Sequence, residues 1–218
     1  MTTMNGSETR EQVAFVYREL ARLGLNVAST GNVSARTPDG MVITPSGASA
    51  ETVSAGGLVA MTLEGAAEPD ANPSSEWHMH AAIYLAEPRA GAIVHTHSDA
   101  CTALAVLNQP LPAFHYMIAS FGGNDVRCAP YVTFGTAELA ELAVAAIAGR
   151  SACLLANHGM IVHAASPKAA LRQALLLEAL ARQYLLARAA GTPRILTPTQ
   201  MRAAHERFKT YGGRGRGR

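Results

Sequence analysis

Residues 91–100 read GAIVHTHSDA, an apolar run that closes on His95-Thr96-His97. On a β-strand, side chains two apart leave the same face, so both imidazoles point one way and Thr96 the other. Two nitrogen donors side by side suit a borderline cation such as Zn2+, which takes nitrogen ligands at about 2.0–2.1 Å. His-x-His alone does not make a site; a third ligand must come from elsewhere. The segment LLANHGMI offers His158, which follows an apolar run and precedes Gly159, a permissive residue where the chain must turn sharply. Standing alone, His158 reads as a loop histidine at a turn. Three histidines that leave one position open are the arrangement of a catalytic zinc rather than a structural one.

Metal chemistry on a carbonyl compound needs an acid/base group nearby. NPSSEWHMH places Glu76 in the first turn of an expected helix, directly after Ser74 and Ser75. A glutamate there suits the helix dipole, while hydroxyls and free N–H groups at a helix start also form an anion site. Two further small-residue loops hold Gly31-Asn32 and Ser46-Gly47, and each could turn N–H groups toward a phosphate. Such loops are common turns, and neither matches a P-loop or dinucleotide fingerprint. Their weight rests on convergence with Ser74-Ser75. His163 and His205 read as surface or satisfied histidines. His78 and His80, two apart on one helix, face different directions, and His115 adjoins Tyr116; none of these three reads as a ligand.

The elements that must position these groups are marked by caps and turns. Thr9-Arg10-Glu11-Gln12 fits a capping box, followed by Val13, Val16, Tyr17, Leu20 and Leu23 at helical spacing up to Gly24. Pro38-Asp39-Gly40 turns a hairpin. A helix is expected over about residues 74–85, then the strand AIVHTH and a short helix near CTALAVL. A Pro-, Gly- and Asn-rich loop spans residues 108–134, after which Thr136 caps a helix. ACLLANHGMIV reads as two strand pieces broken at Asn157-His158-Gly159. Ser166-Pro167 opens the longest helix and Gly191 ends it; a last helix lies near TQMRAAHERFK. Interleaved short strands and helices without a repeat predict one α/β domain of layered helices and sheet.

Composition agrees. The 218 residues and 22.8 kDa fit one domain, and 49% apolar with 16% charged residues describe a globular chain. No apolar run is long enough for a membrane span, and the polar start MTTMNGSETREQ lacks signal-peptide character. Cys101, Cys128 and Cys153 form no C-x-x-C pair, which suits a reducing, cytoplasmic setting. The net charge of 18 − 16 = +2 falls to 15 − 16 = −1 without Arg214, Arg216 and Arg218. That Gly/Arg tail, residues 212–218, reads as disordered, and no nucleic-acid partner is expected because the body carries no basic, aromatic-studded stripe.

Taken together, RLGLN, GNVS, GMVITPSG, PSSEWHMH, AIVHTHS, PAFHYMIASFGGNDVRCAPYVTFGT, LLANHGMI and FKTYG resemble the class II aldolase/adducin family, in order and over nearly the whole chain. The resemblance implies a single three-layer αβα domain over residues 1–211 with a largely antiparallel central sheet. By it His95, His97 and His158 bind one Zn2+ per subunit, and Glu76 is the acid/base that also ligates the metal when no substrate is present. Gly31, Asn32, Ser46, Gly47, Ser74 and Ser75 hold the substrate phosphate. Tyr116 and Phe134 correspond to positions near the aldehyde end, and Tyr211 to a tyrosine of the mobile C-terminal tail. Family members are C4 homotetramers with active sites between subunits.

The implied reaction is reversible cleavage of a phosphorylated sugar, a ketose 1-phosphate of the fuculose or 5-modified ribulose type, to dihydroxyacetone phosphate and a small aldehyde. The metal serves as electron sink in place of a lysine Schiff base; Lys168 and Lys209 are the only lysines and neither sits in a motif. Epimerases, a methylthioribulose-phosphate dehydratase and decarboxylases of the family share the three-histidine site, and an adducin-like assembly module keeps the fold without needing the metal. Glu76 together with HYMIASFGGN fits the aldolase branch. Ser46 stands where the family sequence has threonine, which keeps the hydroxyl, while His78-Met79 and SFGGND depart from it.

Overall fold

A computed structural model describes residues 6–210; Tyr211 and the 212–218 tail lie outside them. In chain order the elements are α1 (Gly6–Arg22), β1 (Asn32–Thr37), β2 (Gly40–Ile43), β3 (Val59–Met61), α2 (Trp77–Ala86), β4 (Ala92–Thr96), α3 (Asp99–Ala105) and β5 (Leu111–Pro112). A 3-10 helix (Tyr116–Phe121) follows, then β6 (Asp125–Val126), β7 (Cys128–Ala129), α4 (Ala137–Ile147), β8 (Ala152–Leu155), β9 (Gly159–Ala164), α5 (Pro167–Ala190) and α6 (Pro198–Thr210). Among the described residues no helix is long and apolar enough to cross a membrane.

Most start and stop signals act as the residue types dictate. Thr136 and Ser166 accept from Leu139 N and Ala169 N at the starts of α4 and α5, Pro167 sits in the first turn of α5, and Gly191 follows its last residue. Thr37 pairs with Gly40 across the Pro38-Asp39 turn. Thr9 is a correction: α1 is already running at Gly6, and Thr9 is buried inside it. Its spacing to Val13, Val16, Tyr17 and Leu20 makes it the first member of the buried stripe, not a cap.

The main sheet has the order β3-β2-β1-β4-β9-β8-β7 and is antiparallel except for the β7–β8 pair. β4 lies in its middle, with Asn32 of β1 opposite His95 on one side and Ile161 of β9 on the other. The pleat sends alternate residues into two cores: Ala92, Val94, Met160 and Val162 pack with α1, α3 and α5, whereas Ile93 and Ile161 pack with α2 and α4. This is the three-layer αβα arrangement. β4 is buried on both faces and reads as a continuous apolar run for that reason.

One buried ion fastens the layers beside the histidine strand. Glu178 of α5 accepts from Ala100 N at 2.9 Å and Cys101 N at 3.0 Å, taking the free N–H groups of α3 that the Ser98 side chain does not cap. Burial alone raises its pKa, but these bonds and those from Ser98 and Cys101 outweigh it and hold the carboxyl below its usual value. A lowered folded pKa means stability that is full above the unfolded value, about 4.3, and is lost as pH falls through the folded one. Glu178→Gln should therefore cost about 1–2 kcal/mol at pH 7, with the difference from wild type shrinking as urea unfolding is repeated below about pH 4. An undiminished difference in acid would show that packing, not charge, is what Glu178 supplies.

Candidate metal centre

β4 delivers His95 fully buried, and the chain leaves the strand so that His97 lies one residue past its end. His158 stands in the turn between β8 and β9. The left-handed residue of that turn is Asn157, with φ 54°, not Gly159. Gly159 is required for a different reason: a Cβ there would strike the Thr96 carbonyl oxygen and lie 3.1 Å from His97 Cδ2. The absent side chain lets β9 close against the end of β4, which is what brings His158 to the other two histidines.

The three imidazoles form a near-threefold cluster. Ring centroids are 4.9, 4.7 and 4.8 Å apart, with interplanar angles of 73°, 71° and 69°. His95 Nδ1 donates to the Met160 carbonyl at 2.9 Å, so its Nε2 is the free donor atom and faces inward. That Nε2 lies 3.0 Å from His97 Nε2 and 3.0 Å from Glu76 Oε2, while His158 Nε2 is 3.2 Å from Glu76 Oε1. One ligand atom from each of the four residues lies within 4.8 Å of the others. So many lone pairs in so small a volume repel unless a positive charge sits between them, and three nitrogens plus a carboxylate oxygen fit a divalent cation. Burial opposes ionisation of Glu76, yet the neighbouring His95 and His158 hold its carboxyl far below the usual range. Burial, then the charges of His95 and His158, push His97 down to about 4.

Glu76 is at the N-cap of α2 rather than inside its first turn, a correction to the expected boundary of residues 74–85. Its side chain makes no cap bond, and is thereby free to reach the histidines. Instead it is held from the sheet: Asn32 Nδ2 donates to Glu76 Oε2 at 3.0 Å. Asn32 in turn meets His80 Nε2 at 2.6 Å, His80 Nδ1 meets Ser34 Oγ at 2.7 Å, and Ser34 Oγ meets Tyr84 Oη at 2.8 Å. Sequence reasoning set His80 aside by comparing it with His78. The informative spacing was the other one, since Glu76, His80 and Tyr84 recur every four residues on one helix face. His78 stacks on Trp77, and His115, His163 and His205 bond to Met117 N, Arg150 O and Asn124 Oδ1.

Glu76, His97 and His158 line a cleft of about 540 Å³, with His95 fully buried, and its other walls are Gly31, Asn32, Ser46, Gly47, Ser74, Ser75 and Phe134, together with Ser29, Thr30, Tyr131 and Asn157, which the sequence reading had not placed in the site. That size suits a small molecule. The three loops converge because they are tied to one another: Ser46 N donates to Asn72 O at 2.9 Å, Ser74 N to Thr44 O at 3.1 Å, and Thr44 N to Val33 O at 3.0 Å, just past Gly31-Asn32. With its N–H engaged, Ser46 offers the cleft its hydroxyl. Asn32 has both side-chain polar atoms engaged with Glu76 and His80. Gly31 has φ 73°, and a Cβ there would press on Asn26 Oδ1 and lie 2.8 Å from the His95 carbonyl. Gly31→Ala should thus lower stability by at least about 1–2 kcal/mol in urea unfolding; an unchanged midpoint would mean the loop relaxes freely.

Tyr116 is not in this cleft. It lies on the 3-10 helix, 54% exposed, in a separate groove with Met117, Ala204, Arg207 and Phe208. Phe134 is at the cleft and 64% exposed.

The fold is a single α/β domain whose donor set could hold a metal ion. Residues 11–185 match the class II aldolase and adducin N-terminal domain, and the chain belongs to that family. It is 47% identical over 195 residues to the 5-methylthioribulose-1-phosphate/5-deoxyribulose-1-phosphate aldolase of Rhodospirillum rubrum, covering 89% of this chain and 88% of the relative. It is 43% identical over 210 residues to an L-fuculose phosphate aldolase of Escherichia coli, covering 96% and 98%. A solved structure of L-fuculose 1-phosphate aldolase superposes with a TM-score of 0.90 at 37% identity, over 96% of this chain and 100% of that one. The chain is accordingly a class II aldolase, a lyase of a metal-dependent family.

Proposed function

We propose that this aldolase reversibly cleaves a ketose 1-phosphate, of the 5-modified ribulose or fuculose type, to dihydroxyacetone phosphate and a small aldehyde. The observation that carries the reading is the His95–His97–His158–Glu76 cluster on the floor of a cleft walled by hydroxyl- and glycine-bearing loops. His95, His97 and His158 would hold one divalent ion, zinc in the first instance for a nitrogen-rich donor set, with Glu76 as the further ligand when no substrate is bound. When bound, such an ion supplies Lewis acidity, stabilising the negative charge that develops on oxygen as the carbon–carbon bond breaks.

The rest falls to the chain itself. Gly31, Gly47 and the hydroxyls of Ser46, Ser74 and Ser75 grip the phosphate at the cleft mouth and fix the reacting carbon over Glu76. Toward cleavage, Glu76 gives a proton to the carbon that leaves as dihydroxyacetone phosphate; toward condensation it takes that proton back. Lys168 lies over the Phe15 ring and Lys209 pairs with Glu206, so no lysine is in the cleft to form a Schiff base. Tyr116, in its separate groove, can exchange the proton of the aldehyde oxygen only in the cleft of a neighbouring copy, which fits a homotetramer with sites between subunits; Tyr211 is the further catalytic tyrosine that the family resemblance implies. Phe134 at the cleft is the apolar wall for the aldehyde substituent.

The test is a panel of fuculose, ribulose, 5-deoxyribulose and 5-methylthioribulose 1-phosphates offered to zinc-loaded protein, with dihydroxyacetone phosphate as the readout. Release from at least one supports the reading, and the rate ranking names the sugar. No release from any of them would remove it in favour of epimerase or dehydratase chemistry.

A further inference from the structure

The chain Tyr84–Ser34–His80–Asn32–Glu76 can be given a direction by elementary hydrogen-bond chemistry. All five residues are buried. An ionised Glu76 only accepts, so Asn32 must turn its NH2 group toward Oε2 and its carbonyl oxygen toward His80. A carbonyl also only accepts, so His80 carries its proton on Nε2. His80 is fully buried, and burial disfavours a charged ring, so with its proton on Nε2 its Nδ1 is bare. Ser34 must then donate to Nδ1, and Tyr84 must donate to Ser34. Tyr84 keeps its proton because burial raises its pKa. Every donor in the chain points toward Glu76.

The two carboxylate oxygens are thereby made unequal. Oε2 accepts from Asn32, whereas Oε1 is buried without a hydrogen-bond partner, 3.2 Å from His158 Nε2. We propose that His80 is a positioning residue for the acid/base: acting through Asn32, it fixes Oε2 as the permanent acceptor and leaves Oε1 as the oxygen that carries the proton in catalysis. In condensation a lone pair of Oε1 takes the proton from the substrate carbon, and the electrons of that C–H bond stay with the substrate; in cleavage the same proton returns from Oε1 to that carbon. The inference rests on the proposed function for its kinetic part, and on hydrogen-bond direction for the rest.

Two measurements test it separately. Neutron diffraction from deuterated crystals of the zinc-loaded protein should show a deuteron on His80 Nε2 and none on Nδ1. A deuteron on Nδ1 reverses the chain and overturns the proposal, whatever the enzyme turns over. In kinetics, His80→Phe should lower kcat by roughly 10–100-fold, the range for removing a hydrogen bond that orients a catalytic group, with KM and bound zinc nearly unchanged. His80→Gln, whose amide nitrogen reaches the position of Nε2, should recover most of that loss; His80→Asn, which reaches only the position of Nδ1, should not. A kcat within twofold for His80→Phe, loss of zinc, or equal kcat for the Gln and Asn variants would each reduce His80 to a packing residue. If wild-type protein cleaves none of the sugar phosphates, the proposed function fails, and the deuteron position still decides the direction of the chain.

Discussion

Glu76→Gln should lower the rate of dihydroxyacetone phosphate release by roughly 10²–10⁴-fold, the usual contribution of a positioned acid/base, while bound metal stays near stoichiometric. The substitution keeps volume and removes only the ability to take and return a proton. Three imidazoles remain, and His95 keeps the Nδ1 bond to Met160 O that orients it. The Gln amide has one orientation open to it, because Asn32 Nδ2 demands an acceptor at the Oε2 position; its NH2 group then occupies the Oε1 position. Activity would be followed by reduction of the released ketone phosphate and metal by elemental analysis of the same sample. Residual activity above a tenth of wild type would remove Glu76 from proton transfer. Loss of metal together with activity would make it chiefly a ligand.

His95→Ala is expected to be as severe by another route. It removes the one cluster histidine that is wholly buried and strand-borne, leaving two imidazoles to hold the ion. Bound metal should become substoichiometric and activity should fall by about a thousandfold or more, since Lewis-acid stabilisation is worth several kcal/mol of barrier. The side chain is also a packing unit between β1 and β9, so the melting temperature belongs in the experiment. A folded, metal-free and inactive variant supports the assignment. A folded variant that keeps stoichiometric metal would place the ion elsewhere.

The sequence carried these residues openly because their chemistry depends on local spacing. His-x-His at a strand end, a serine pair before Glu76, and capped helices at Thr136 and Ser166 are short-range signals; both caps form, and the serines line the same cleft as His97 and Glu76. What stayed hidden was long-range. The order β1-β4-β9 is set by which apolar runs can be buried on both faces, and no spacing within a segment encodes it. Gly159 looked like a turn residue because its true constraint is a carbonyl on another strand. His80 looked idle because its partners, Asn32 and Ser34, are more than forty residues away. Tyr116 was grouped with the site, and within one chain it lies in a different groove. The family resemblance had implied the antiparallel sheet that hydrophobic periodicity could not supply.

Gly159's close approach to Thr96 has a consequence for how the molecule comes into being. Before β9 zips onto β4, the nascent polypeptide owns only a two-histidine fragment, a feeble chelator. The third imidazole arrives with a strand pairing between residues distant in the chain, the slow sort of contact in folding. An ion that prefers the finished donor set therefore acts as a ligand of the native state alone. It would add about 4 kcal/mol to stability when free ion exceeds its dissociation constant a thousandfold. On the proposed reading, removing the metal should lower the unfolding midpoint as well as the turnover rate.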